Sequence, residues 1–489
     1  MARPAGAQAA PDLRVKFNVF GLFDHFTGRY MRGSNGAWYL NGGFSHIMGF
    51  AGRGNTFKST LSGTMMATIS IRYDFAYTEF HDTEASLESE RLDDYRQAVR
   101  RNDHIDYVES IYDAYDNNEN TWLLSASDTK SGKTQTGEEW WRNCVLNEIP
   151  GRLKEREKGT NWRITPFDMR GGEPVKVLNP WGYSIDSLSM MKVEAVEKMY
   201  DKGDAGEGEL NTVWMKDAGA KAQLMEQMPN ACSRGGYYLA LVAHLDDKIE
   251  LSQYAPNEKK LDGFLGNQKL KGVPGRQMSF VPNNLIVAQA TDKLWDKDKK
   301  PEYPHSDAED RPGNKDLKAV TFEQFRGKSG PTGERLELIF SQKQGLLIGL
   351  TNFHYLKKYC GNYGMEVTGN NAGFRLALYP SLHFTRKTVR KLLEDDAKFE
   401  RAMEITACLA FIKFNWFTER SHMYIEPAEL KTKIEEAGYD WDEILGETVQ
   451  YWQFEDAKNK PNYKHTLTVK TLCDMAEGLH VANYLKKHP

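Results

Sequence analysis

Short apolar runs closed by glycine or by polar residues set the rhythm of the first 350 positions. They are Ile47-Met48-Gly49-Phe50, Phe75–His81, the weaker Tyr183–Ser189, Gly236–His244, Asn284–Gln289, Arg335–Phe340 and Leu346–Leu350. Runs of this length, bounded by turn formers, predict buried strands. Between them lie helix-length segments: Thr60–Ile71, with apolar surface from Met65, Met66, Ile69 and Ile71, then 87–102, 137–158, and a helix–loop–helix over 192–228. Strands alternating with helices predict an α/β core with a mostly parallel central sheet. From about residue 350 the period becomes helical: Asn352–Tyr359, Arg386–Glu394, Asp396–Phe414, Pro427–Ala437 and Val469–Leu479. The chain therefore divides into three parts. Residues 1–39 are a lead-in, with a disordered tail over 1–11 and aromatics suited to packing on a neighbouring subunit. Residues 40–350 are the α/β core, and 351–489 a C-terminal, mainly helical domain. The charged, Pro/Gly-rich stretch 293–316 reads as a solvated loop or insertion.

Composition narrows the setting. In 489 residues, 40% are hydrophobic and 27% charged, as expected of a globular protein with more than one packed unit. No apolar run is long enough to span a bilayer, and the polar, Ala/Pro-containing start does not read as a signal peptide, so a cytoplasmic setting without membrane contact is expected. The five cysteines are far apart and form no CxxC pair, which argues against a zinc site or a disulfide frame. The formal net charge of −4 means that any polyanion must be met by local basic patches.

Candidate chemistry begins at Ser45–Thr60, SHIMGFAGRGNTFKST. Gly52, Arg53, Gly54, Asn55, Thr56, Phe57, Lys58, Ser59 and Thr60 read as a loop and helix start that cradle the phosphates of a nucleotide. Lys58 would reach the β/γ-phosphates, and Ser59 would offer its hydroxyl to Mg²⁺. The position before Lys58, glycine in the usual pattern, is Phe57, so a turn with an incidental lysine is the alternative. Another stretch of similar composition, Ser131-Gly132-Lys133-Thr134, reads as a loop. Glu84 follows the second strand and would sit beside the γ-phosphate. Asp186, ending a strand expected next to the phosphate-loop strand, taken alone reads more readily as a structural residue, but in order with Lys58, Ser59 and Glu84 it would hold the metal's water shell. His244 closes the most apolar strand at the same edge. After it comes a glycine-punctuated basic stretch, with Lys259, Lys260, Lys269, Lys271 and Arg276 interleaved with Tyr254, Phe264 and Asn267, suited to single-stranded nucleic acid. The basic helix start Arg386–Lys391 reads either as a grip on duplex DNA or as a solvated helix face.

Taken in order, these motifs resemble the RecA recombinases, most closely their phage relatives of the UvsX type. The resemblance rests on Thr56-Phe57-Lys58-Ser59, Asp82-Thr83-Glu84, Ile185-Asp186-Ser187, Ala243-His244 and Arg326-Gly327-Lys328, and covers about 40–350. It turns Phe57 from a flaw into a subfamily marker. It implies a RecA-like P-loop ATPase core and a DNA-dependent, Mg²⁺-requiring ATPase that exchanges strands in homologous recombination and repair. It also implies helical filaments on single-stranded DNA, with double-stranded DNA as the second partner. ATP would lie between subunits, with Glu84 activating water, His244 coupling the γ-phosphate to a DNA loop at 246–276, and Arg326 and Lys328 reaching the neighbour's γ-phosphate. A first DNA loop maps to 200–214, but Asp201, Asp204, Glu207 and Glu209 depart from that family's pattern. The long stretch from Glu84 to Asp186 and the large C-terminal part depart from it as well. A hexameric RecA-fold helicase, or a RecA-fold ATPase assembly that does not bind DNA, are the competing expectations.

Overall fold

The structure, a computed structural model, describes residues 15–73, 76–84, 87–110, 121–125, 135–168, 174–201, 210–247, 268–328, 332–369, 373–415, 424–460 and 462–486. One ten-stranded sheet organises the first 350 residues. Its strands are β1 (Ile47–Gly52), β2 (Tyr77–Asp82), β3 (Thr121–Ser125), β4 (Trp181–Asp186), β5 (Tyr237–Asp247), β6 (Gln268–Leu270), β7 (Asn284–Lys293), β8 (Leu317–Gly327), β9 (Arg335–Ser341) and β10 (Gly345–Leu346). Their order is β3-β2-β4-β5-β1-β7-β8-β9-β10, with β6 paired to β5. Neighbours from β3 to β7 are parallel, whereas β7 to β10 form an antiparallel meander and β6 runs antiparallel to β5. The architecture is mixed α/β with a large, mostly parallel sheet.

Strict alternation sends side chains of the central strands to two separate cores. Met48 and Phe50 of β1, with Tyr238, Ala240 and Val242 of β5, pack beneath helices α1 (Lys58–Arg72) and α2 (Ser89–Asn102). Ile47 and Ala51, with Leu239, Leu241 and Ala243, pack instead with Met225 and Met228 of helix α3 (Leu210–Gly235) and with Trp140 and Trp141. Strands covered on both faces are near-continuously apolar, which is why these runs are conspicuous in the sequence.

Several expectations are corrected. Strand β8 is hidden because its outward positions are polar, and only Phe325-Arg326-Gly327 near its end stands out. The helix expected over 137–158 is broken into Gly137–Trp140, a π-helical turn Trp141–Leu146 and Ile149–Lys158, the last with Pro150 in its first turn. A hairpin, Trp162–Asp168 with Pro174–Leu178, is not anticipated by the sequence pattern. The Leu346–Leu350 run is a strand only at its start, and helix α4 (Ile348–Tyr359) begins inside it. The strand of Asp186 is not beside β1, because β5, apolar from Tyr237 to Ala243, takes the central place between them.

The described part of the lead-in packs into its own chain. Phe17, Phe23 and Phe26 are fully buried, and the Phe17 ring contacts both Tyr238 of β5 and Trp452 of the C-terminal part. The Trp38 indole N–H donates to Asp474 at 2.8 Å. The expected tail over 1–11 lies outside the described residues. Across residue 350, Phe50 of β1, Phe353 of α4 and Phe399 of helix α5 (Ala397–Phe414) belong to one apolar core. The C-terminal part also carries a three-stranded meander, Met365–Thr368, Gly373–Leu376 and Tyr379–Thr385.

The stretch 293–316 is not merely solvated. Its carboxylates receive the basic helix start: Asp296 meets Arg386 at 3.3 Å, Asp310 meets Lys387 at 2.7 Å, and Asp316 meets the buried Arg390 at 3.2 Å. Arg386, Lys387 and Arg390 thus meet carboxylates of their own chain, so that helix start is not a plainly solvated face. Among the described residues, no helix is long and apolar enough to cross a membrane.

Candidate active site

Strand β1 runs into the loop of Arg53–Phe57, and α1 begins at Lys58. Two loop residues are left-handed, Asn55 at φ +58° and Phe57 at φ +57°. A bulky residue in that region is strained, and the Phe57 ring is held there by stacking on Phe340, with centroids 4.8 Å apart. Gly52 is required sterically, since a Cβ there would meet Thr56 Oγ1 at 2.8 Å and Ala288 Cβ at 2.9 Å. Lys58, 4% exposed, folds back over its own loop and donates to the Arg53 carbonyl at 2.6 Å and to Thr56 Oγ1 at 3.3 Å. No side chain caps the start of α1, so its first amides and its dipole are free for an anion.

Across from this loop, the ends of β2, β4 and β5 bring three further groups together. The Ser187 hydroxyl donates to Glu84 Oε1 at 2.8 Å, and His244 Nε2 lies 2.8 Å from the same oxygen. Asp82 shapes the turn: its Oδ1 accepts the Glu84 amide at 3.0 Å and its Oδ2 the Leu87 amide at 2.6 Å. Thr83 ties the strand ends together, accepting the Ser187 amide at 2.8 Å and donating to the Ser187 carbonyl at 2.6 Å. Asp186 accepts the Ser59 hydroxyl from the first turn of α1.

The electrostatics follow from burial and from crowding. Burial raises the Asp186 carboxyl to about 6, with Glu84 and Asp82 pushing the same way and Ser59 and Lys58 opposing. Burial lowers the Lys58 ammonium to about 8, against the pull of Asp186 and Glu84. Burial pushes Glu84 upward too, but the hydrogen bonds from His244 and Ser187 overcome it and hold the carboxyl below its ordinary value.

The loop after β5 is tied to this site by backbone bonds. The His244 amide donates to Ser189 Oγ at 2.8 Å, and its carbonyl accepts the Lys271 amide at 2.9 Å. Lys269 lies opposite Asp246 in the β5–β6 pairing, and Lys269, Lys271 and Arg276 are exposed. Lys259, Lys260, Phe264 and Asn267 lie outside the described residues, as do 202–209 and the Ser131–Thr134 stretch. Arg326 and Lys328 do not line this cleft. Arg326 pairs across to Leu285, which pairs to Gly49, so both residues stand toward the amino edge of the parallel strands. There the Arg326 guanidinium lies over the exposed Phe280 ring and donates to the Ser279 carbonyl.

Sequence reasoning misses other residues of the cleft, which has a volume of about 930 Å³. Arg91, on α2, donates to Thr60 Oγ1 at 3.1 Å. Thr291, Lys315, Lys318 and Gln342 line the far wall. Arg91 is legible as a first-turn residue of the helix after Glu84. The others are hidden with β8.

In chemical terms, the cleft offers amide donors and an ammonium for a polyphosphate, and an ionised carboxylate at its far side. Among the described residues, no cluster of three or more His, Cys, Asp or Glu suits a metal ion. The Ser59 hydroxyl and Asp186 carboxylate nonetheless fit Mg²⁺, which takes few protein oxygens and completes its shell with phosphate and water. No protein-family model and no curated protein sequence matches this chain.

Proposed function

We propose that this chain is a Mg²⁺-dependent ATPase with a RecA-like core that binds single-stranded DNA and exchanges strands with a duplex, working as a helical assembly of copies. The observation that carries the reading is the convergence on one cleft of Lys58 and Ser59 from a helix start with Glu84, just beyond β2, and His244 of β5, and of Asp186, from β4, on Ser59. Mg²⁺ held by Ser59 and Asp186 would neutralise the β/γ-phosphate oxygens. Lys58 exchanges its bond to the Arg53 carbonyl for a phosphate oxygen, and the α1 amides supply the remaining donors. Glu84, kept ionised by its partners, orients water and accepts its proton. His244 links that carboxylate to the segment that carries Lys269 of β6 and Lys271 just beyond it, so nucleotide and DNA each favour binding of the other. Arg326 and Lys328, outside their own cleft, are available to a neighbouring copy's phosphates.

The test has two parts. Hydrolysis of ATP is measured with and without single-stranded DNA, for the wild type and for Glu84→Gln. Stimulation by DNA that vanishes in the variant supports the reading, whereas an unaltered variant removes Glu84 from the chemistry. Electron microscopy with an ATP analogue and single-stranded DNA supplies the second part: helical filaments support the recombinase, and closed rings support a helicase instead.

A further inference from the structure

The cleft has two unlike walls. Across the sheet, β1 with its loop stands between β7 and β8 on one side and β5, β4 and β2 on the other. The second side carries His244, Asp186 and Glu84, the groups assigned to the γ-phosphate and its water. The first side carries Thr291 of β7 and Lys318 of β8, joined by Lys315 just before β8 and Gln342 just after β9.

This first wall is cationic. Among the described residues, none of Lys293, Lys315 and Lys318 forms an ion pair, although neighbouring basic residues do, such as Lys343 with Glu309. Lys293 lies over the Trp295 ring at 4.8 Å. Lys318 is partly buried, and its ammonium is held below its ordinary value by that burial and then by Lys293 and Lys315. The Thr291 hydroxyl is buried and has no partner among the described residues. Like charges crowded without a counter-ion disfavour one another, and an anion placed between them removes that cost.

We infer that Lys315 and Lys318, with Thr291 and Gln342, form a second anion-binding wall in the same chain, one that grips the nucleotide phosphate nearest the sugar. The inference rests on the nucleotide reading of the cleft. The polyphosphate runs from the carboxylate side, where its terminal phosphate meets Glu84 and His244, across the loop toward β7 and β8. The lysines therefore meet the end that a nucleoside diphosphate and a triphosphate share. They hold substrate and product alike and give no preference for the triphosphate.

Titration of the full chain with fluorescent ADP and with a fluorescent, non-hydrolysable ATP analogue tests this. Wild type, Lys315→Ala/Lys318→Ala, Lys315→Glu/Lys318→Glu and Lys58→Ala are compared, with thermal melts to check folding. In the double alanine variant both affinities are expected to fall by a similar factor, about five- to tenfold, as for two partly exposed charge contacts. The double glutamate variant is expected to lose more of both. Unchanged binding in the folded double variants overturns the inference while leaving the nucleotide site intact. So does a loss confined to the ATP analogue, which would move the lysines to the terminal phosphate. A wild type that binds neither nucleotide overturns the underlying reading and the inference with it.

Discussion

His244 Nε2 lies 2.8 Å from Glu84 Oε1, and the Ser187 hydroxyl reaches that same oxygen at 2.8 Å. One carboxylate is thereby joined to the ends of two other strands, and its orientation is fixed before any substrate arrives. Glu84→Gln keeps the shape and removes the charge. It is expected to lower ATP turnover by about 10²–10⁴-fold, the usual worth of a general base, with nucleotide affinity little changed. A turnover assay paired with a binding titration checks this.

His244→Ala should separate two activities. Basal hydrolysis is expected to fall less than in Glu84→Gln, while stimulation by single-stranded DNA is lost, because the tie between the carboxylate and the β5–β6 hairpin is gone. Stimulation ratios across a DNA titration give the answer.

The pH dependence follows from Asp186 and Lys58. On the proposed reading Asp186 holds the metal in its ionised form, so at limiting Mg²⁺ kcat/KM is expected to fall as pH drops through about 6, and excess Mg²⁺ is expected to shift that limb lower. Lys58 must be protonated to meet phosphate, so the alkaline limb lies near 8. For stability the sign is opposite to that of an ordinary paired carboxylate. The folded chain holds the Asp186 proton more tightly than an unfolded chain whose carboxyl sits at 3.8, so stability falls as pH rises from 3.8 through about 6, and the full cost is in place above that. Asp186→Asn is expected to stabilise the chain at pH 8, by about 3 kcal/mol at most, and to give no gain at pH 4. Denaturant melts at the two pH values measure it.

Phe57 holds a left-handed backbone by stacking on Phe340. Phe57→Ala keeps the strain and loses the ring, and is expected to cost about 2 kcal/mol. Phe57→Gly relieves the strain as it loses the ring, and is expected to lie closer to wild type than the alanine variant. Urea unfolding of the two variants side by side makes the comparison.

Arg390→Ala leaves Asp316 buried without its guanidinium and is expected to destabilise the chain by about 3–5 kcal/mol. Where the variant folds, DNA binding is expected to be unchanged, since this arginine faces the chain's own carboxylates. Chemical melts and a DNA titration separate the two effects.

Legibility followed burial. β1 and β5 are covered on both faces, so their apolar runs announce them; Lys58, Glu84 and Asp186 stand out at or just beyond an element boundary, and His244 as the first polar residue after the apolar run of β5. What stays hidden is half-polar or tertiary. β8 alternates apolar and polar positions within a charged region, and it takes Lys318 out of view. The pairing of Arg390 with Asp316 joins residues 74 positions apart, so sequence shows two charged stretches and not that each answers the other. The central place of β5 between β1 and β4 is likewise a matter of topology, which no local pattern records.

The shared core beneath Phe50, Phe353 and Phe399 has a mechanical consequence. A chain with a hinge near residue 350 would spend the free energy of hydrolysis on swinging one half against the other. Here such a swing would tear open apolar packing and separate Arg390 from Asp316. If the cleft hydrolyses ATP as proposed, the two halves are expected to move as a single block, with any displacement at the cleft emerging at the surface loops.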